Sequence, residues 1–178
     1  MAPLLVAVSL LLGPPAHAIT TDHAGSYLEA VGGLAVGTSP VAAHLGWQVH
    51  AGGWFGPYDH AYALGRYHAV GAALRQDLAG DSLRSAVMVE YRRGMDLFVA
   101  GSQLQLAAGP ELIGSDVGVA ARVGVGGKFR FFPRYGAVAR IEGGVGTAGG
   151  LNGQFALVLG LAWTTPLWSR EEVDPEVP

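Results

Sequence analysis

Val117-Gly118-Val119-Ala120-Ala121-Arg122-Val123-Gly124-Val125-Gly126-Gly127-Lys128-Phe129-Arg130-Phe131 is the stretch whose reading decides the fold. Taken at period two, one parity holds Val117, Val119, Ala121, Val123, Val125, Gly127, Phe129 and Phe131. The other holds Gly118, Ala120, Arg122, Gly124, Gly126, Lys128 and Arg130. Alternation of this kind is the signature of a strand with unlike faces. A soluble strand puts Lys, Glu and Thr on its wet face, whereas here the polar face is glycine and alanine with single charges set among them. Small residues and isolated charges suit a crowded interior, with the greasy face turned outward into lipid.

Seven more segments repeat the division. The first runs from Tyr27 to about Val36 and the second from Val41 to His50, with Thr38-Ser39-Pro40 between them. Gly52 to Asp59 reads as an aromatic-rich turn, because Gly and Pro punctuate strands. A third strand spans roughly 62–75. Gln76 to Asp81 turns the chain into a fourth, Leu83 to Arg92, and Arg93-Gly94-Met95-Asp96 reads as a hairpin loop. The fifth runs from Phe98 to Ala107 and is ended by Gly109-Pro110-Glu111, and Asp77, Asp81, Glu111 and Asp116 are expected in acidic turns. The seventh, from Tyr135 to Gly146, and the eighth, from Gln154 to Trp163, meet at Gly149-Gly150. An even number of strands brings both ends of the chain to one side.

Composition agrees. Charged residues make up 14% of the chain and glycines number 28 of 178, against about 25% and about 7% in ordinary soluble domains. With no cysteine there is no disulfide framework, thiolate metal site or cysteine nucleophile. A net charge of -3 without a basic cluster argues against nucleic acid as a partner. The apolar run Leu4 to Leu12, the breaker Gly13-Pro14-Pro15 and Ala16-His17-Ala18 predict a signal peptide over 1–18. A short lead-in over 19–26, a barrel over 27–168 and an acidic tail over 169–178 follow.

Two site expectations arise. Inside, Glu29, Arg75, Glu90, Arg92, Arg122, Arg140 and Glu142 should form a charge network, since unpaired charges in a desolvated lumen cost several kcal/mol each. Outside, Trp54, Phe55, Tyr58, Tyr91, Phe129, Phe131, Tyr135 and Trp163 gather at the end holding the termini. An aromatic girdle at a membrane surface has this arrangement.

The signal peptide, the eight alternating segments, the charges Glu90, Arg122, Arg140 and Glu142, and the last strand Phe155 to Trp163 together resemble the small eight-stranded outer-membrane barrels of Gram-negative bacteria, of the OmpA and OmpX type. The resemblance covers roughly residues 25–168. It implies an all-β, closed, antiparallel transmembrane barrel in the cell outer membrane, with membrane lipid as surroundings. It also implies recognition of a terminal aromatic, Trp163 or Trp168, by the outer-membrane assembly machinery.

The expected role is structural, interactive or protective of membrane integrity, without catalysis and without a cofactor or metal. A narrow porin-like pore gated by the lumen Arg and Glu residues is the alternative. A lipid hydrolase using Ser85 and His68, and a soluble lipocalin-like carrier with the Val, Leu and Phe face turned inward, remain further readings. Gly144-Val145-Gly146-Thr147-Ala148-Gly149 matches a dinucleotide fingerprint in letters alone, because no helix pattern follows it. His44 and His50 share a face but stand about 20 Å apart along the strand, too far for one metal ion.

Overall fold

The computed structural model describes residues 22–38, 41–59, 64–79, 82–132 and 134–169. The side chains at 22–23, 41–42, 58–59, 79 and 165–169 fall outside that description, as do the segment 1–18, expected as a signal peptide, and residues 170–178 of the acidic tail. Eight strands follow one another: β1 Asp22–Thr38, β2 Val41–Asp59, β3 Leu64–Ala79, β4 Ser82–Leu97, β5 Ala100–Ile113, β6 Asp116–Phe132, β7 Tyr135–Gly146 and β8 Asn152–Ser169. Each pairs antiparallel with its neighbours in sequence, and β1 closes onto β8, so the sheet is a complete barrel. Closure matters physically because a sheet edge has no hydrogen-bond partner in lipid, and a barrel has no edge. Strands of 12 to 19 residues exceed the roughly 9–11 that a membrane crossing requires.

The two parities of β6 separate as expected. Val117 is 76% exposed and Val123 46%, while Ala120 is 1% exposed. The same alternation runs through the other strands, with Leu45, Val89, Ile141, Leu159 and Leu161 on the outside. The lipocalin-like reading needs this face inside, and the structure puts it outside.

Glycine in β6 makes room rather than ending the strand. Gly124 faces the lumen, and a Cβ there would lie 3.0 Å from Arg140 Cδ and 3.4 Å from Gln105 Oε1. Gly124 thus leaves space for the large Arg140 side chain opposite.

Several turn assignments are corrected. The aromatic segment 52–59 is strand and belongs to β2. Gly56 there has φ +139° and Pro57 lacks an amide proton, so the β2–β3 ladder skips these two positions and resumes at Tyr58 opposite Gly65. Pro110 likewise interrupts pairing to β4, between Val89↔Ala108 and Ala86↔Glu111, yet keeps Val119 as its partner on β6. Arg93 to Asp96 continue β4, and the real hairpin is Phe98-Val99, with Phe98 at φ 57°. The segment from Gln76 to Ala79 continues β3, and β1 begins at Asp22 rather than Tyr27. At its far end β8 runs to Ser169. Gly149 and Gly150, with φ +67° and +112°, do form the last turn.

Candidate functional site

The lumen collects nearly all of the barrel's chemistry. Because inward positions recur every second residue, a Glu or Arg on one strand meets those on strands across the barrel. From one wall to the other the described side chains form an alternating chain of acids and bases. Arg75 Nε donates to Asp77 Oδ2 at 2.7 Å, and its Nη1 to Glu142 Oε2 at 3.1 Å. Arg140 Nε reaches Glu142 Oε1 at 2.8 Å, and its Nη1 reaches Glu29 Oε1 at 2.5 Å. Glu29 Oε2 then accepts from Arg92 Nη1 at 2.7 Å, and Arg92 Nη2 lies 2.9 Å from Glu90 Oε1. Glu90 Oε2 ends the chain 2.8 Å from His50 Nδ1.

Neutral side chains tie the chain to itself. Gln48 Nε2 donates to Glu142 at 2.8 Å, Gln105 Nε2 to Glu90 at 2.5 Å, and the Tyr27 hydroxyl to Glu90 at 2.5 Å. Arg92 also stands over the Tyr27 ring, 4.6 Å from its centre. Breaking one link of such a network strands a charge in a low-dielectric interior.

Six of the seven expected network residues, Glu29, Arg75, Glu90, Arg92, Arg140 and Glu142, join directly. Arg122 stands apart, its Nη2 3.9 Å from Glu111 Oε1. That partner was expected in a turn, yet Glu111 is buried and faces the lumen, as does Asp77. Both are corrections with one cause: β3 and β5 run further than Gly, Pro and Asp suggest, and parity carries their acids inward. Asp96, expected in a loop, is also buried in the lumen, against Lys128 Nζ at 2.7 Å and Arg130 Nη2 at 3.2 Å. His50, Arg84, Lys128 and Arg130 were missed as site residues, although each lies on the inward parity. Arg84 Nη2 donates to Asn152 Oδ1 at 2.9 Å. Among the described residues the lumen thus holds six acids and seven bases besides its histidines.

On the outer face, Phe55, Tyr91, Phe129, Phe131 and Tyr135 are exposed near the end holding the termini, and Trp163 is half-buried. His68 stacks on Phe55, with ring centroids 5.7 Å apart, and its Nδ1 lies 2.6 Å from the Tyr91 hydroxyl. Trp54 does not belong to this group. It is 4% exposed and packs inside with Tyr27, Tyr67 and Ala69. Its parity matches Gln48 and His50, a match hidden by treating 52–59 as a turn. The Tyr58 side chain lies outside the described residues.

The Ser85 and His68 pair does not form a catalytic unit. Ser85 stands opposite Gln76 and His68 opposite Arg93, eight rungs apart, or about 27 Å along the strand. No group of three or more potential metal ligands occurs among the described residues.

The apolar outside, the absence of an edge and the ion-paired inside together define a transmembrane β-barrel of eight strands. No protein-family model matches the chain, and no curated protein sequence matches it. Among solved structures, it is similar to neisserial surface protein A (NspA), with a TM-score of 0.54 and 12% identity over 79% of this chain and 96% of that one. A transmembrane β-barrel designed de novo has a TM-score of 0.43 at 14% identity, covering 79% and 96%. The attachment invasion locus protein Ail of Yersinia pestis, in complex with the heparin analogue sucrose octasulfate, has a TM-score of 0.27 at 10% identity, covering 80% and 99%. The likeness to NspA is one of fold: the chain has the architecture of the small eight-stranded outer-membrane barrels.

Proposed function

We propose that the protein is exported to a bacterial outer membrane and serves there as a non-catalytic barrel with a sealed lumen, in a structural or membrane-integrity role. The signal-like segment over 1–18, the fold and the lipid-facing apolar wall support the location. The carrying observation is the unbroken chain from Asp77 through Arg75, Glu142, Arg140, Glu29 and Arg92 to Glu90, which spans the lumen. Two small lumen cavities, about 30 and 10 Å3, flank it, one lined by Glu29 and the other by Glu142. Volumes of this size hold a water or so, not a solute in transit. Short connections, such as Phe98-Val99 and Gly114-Ser115, leave little loop surface for recognising a partner.

Reconstitution into planar bilayers tests the reading. The purified protein is expected to leave the membrane at its baseline conductance. Discrete, ion-selective steps that change in an Arg122→Ala variant would support the gated pore in its place.

A further inference from the structure

The outer wall has unequal ends. Among the described side chains, the charges it carries near the end holding the termini are Arg66, Arg93 and Arg134, all of them cations. The described acids of that half, Glu29, Glu90 and Asp96, are buried in the lumen. At the opposite end the exposed charge is Asp116, at the start of β6.

Arg66 and Arg93 share the outward parity of Val70 and Tyr91, which are 49% and 37% exposed. His68 stands directly opposite Arg93, and Arg66 opposite Met95. The two arginines are thus diagonal neighbours on one face, about 7–8 Å apart at Cα and within reach of one shared ligand. Arg93 and Arg134 have no ion-pair partner among the described residues. The Tyr91 hydroxyl, 2.6 Å from His68 Nδ1, belongs to a phenol, a stronger acid than a neutral imidazole N–H. It therefore donates, and the ring proton stays on Nε2 as a further donor on the rung of Arg93.

Depth agrees with this chemistry. β4 has 16 residues, which at about 3.4 Å each and a tilt near 40° rise about 40 Å through an apolar band of about 25 Å. Arg93, four residues before Leu97, starts close to the edge of that band, and its stem carries the guanidinium into the headgroup layer. Arg134 meets the same layer from the β6–β7 connection. With Phe131, Phe132 and Tyr135 it lines an open cleft of about 530 Å3, where Phe131 and Phe132 meet edge to face at 5.7 Å. Aromatic walls suit a lipid's glycerol and upper acyl chain, and the guanidinium suits its phosphate. A zwitterionic headgroup brings its own ammonium, which finds no described acid on this part of the wall. An anionic headgroup brings none.

We propose that this belt binds the phosphates of anionic phospholipids in the leaflet at the end holding the termini, one between Arg93, Arg66 and His68 and another at Arg134 over the aromatic cleft. Such binding requires the membrane location given above and adds to it a preference for one class of lipid in one leaflet.

Native mass spectrometry of the full chain, released from detergent containing equal amounts of phosphatidylglycerol and phosphatidylcholine with the same acyl chains, tests it. Retained phosphatidylglycerol should exceed phosphatidylcholine severalfold, with up to two molecules on the parent chain, one on R93Q or R134Q and none on R93Q/R134Q. Equal retention of the two lipids by the parent, or a preference unchanged in the variants, would overturn the binding. Heat-shifted migration on a detergent gel shows that the variants are folded, as expected for side chains outside the lumen network. In vesicles, Trp163, paired with Tyr135 beside the cleft, supplies a readout on the parent chain alone. Phosphatidylglycerol with brominated chains should quench its fluorescence more than brominated phosphatidylcholine at equal mole fraction, and equal quenching would again overturn the binding. Failure of the protein to float with the vesicles would instead refute the membrane location itself.

Discussion

Replacing Arg140 with alanine is expected to lower the unfolding free energy of the barrel by about 3–5 kcal/mol, the cost of stranding buried acids when one partner of an ion pair is removed. Arg140 is the bridge between Glu29 and Glu142, at 2.5 and 2.8 Å, and its Nη2 also lies 3.1 Å from His50 Nε2. Its removal leaves Arg92 as the cation beside Glu29, and Arg75 with the Gln48 amide beside Glu142, in a space where water cannot replace the lost contacts. Urea titration in lipid vesicles, followed by tryptophan fluorescence, reads the change. Arg140→Met separates charge from packing: methionine refills much of the space but leaves the acids stranded, so a loss close to that of the alanine variant is expected. Recovery of stability in Arg140→Met would show that packing, not charge, holds the lumen. Arg122→Ala should lose less than Arg140→Ala, since its ion pair to Glu111 is long at 3.9 Å.

The second large effect is on the outer wall. Val123 lies near the middle of β6, opposite Leu106 on β5 and Gly143 on β7, and faces outward. A Val123→Arg substitution should cost about 2–4 kcal/mol in a bilayer, the penalty for a cation at the hydrocarbon midplane of a membrane barrel. The same urea titration measures it. A cost within about 0.5 kcal/mol, normal for a surface substitution on a soluble protein, would contradict a lipid-facing wall.

The architecture was legible because parity is a local property that survives uncertainty about strand ends. Val117 to Phe131 separates apolar from small and charged residues at every step, and the other strands repeat the division, so inside and outside follow from the sequence without the pairing. Residues in strand interiors followed: Glu29, Arg75, Glu90, Arg92, Arg140 and Glu142 all lie in the lumen. Strand ends were misread because Gly, Pro and Asp carry a different meaning inside a barrel. Gly94 lies in β4 under the Tyr67 ring, where a Cβ would collide with the ring atoms. Pro110 interrupts one ladder while keeping the other.

Reading these residues as turns removed Asp77, Asp96 and Glu111 from the lumen and moved Trp54 to the girdle. The missed signal was continuation of parity: Asp77 follows Arg75 by two residues, and Asp96 follows Arg92 by four. Which acid meets which base was beyond the sequence, because those contacts depend on the register and tilt of strands far apart in the chain.

With one parity β6 faces lipid, and with the other it faces a filled lumen. Because the chain has no cysteine, a single-cysteine series at positions 117, 119, 121, 123, 125, 129 and 131, spin-labelled in bilayers, reads that face directly. Electron paramagnetic resonance should find these labels accessible to dissolved oxygen and shielded from a water-soluble nickel chelate, with shielding greatest near Val123 and falling toward both ends of the strand. Nickel-chelate access at Val123 matching that at Val117 would contradict a membrane-embedded outer wall, and with it the barrel's proposed place in the membrane.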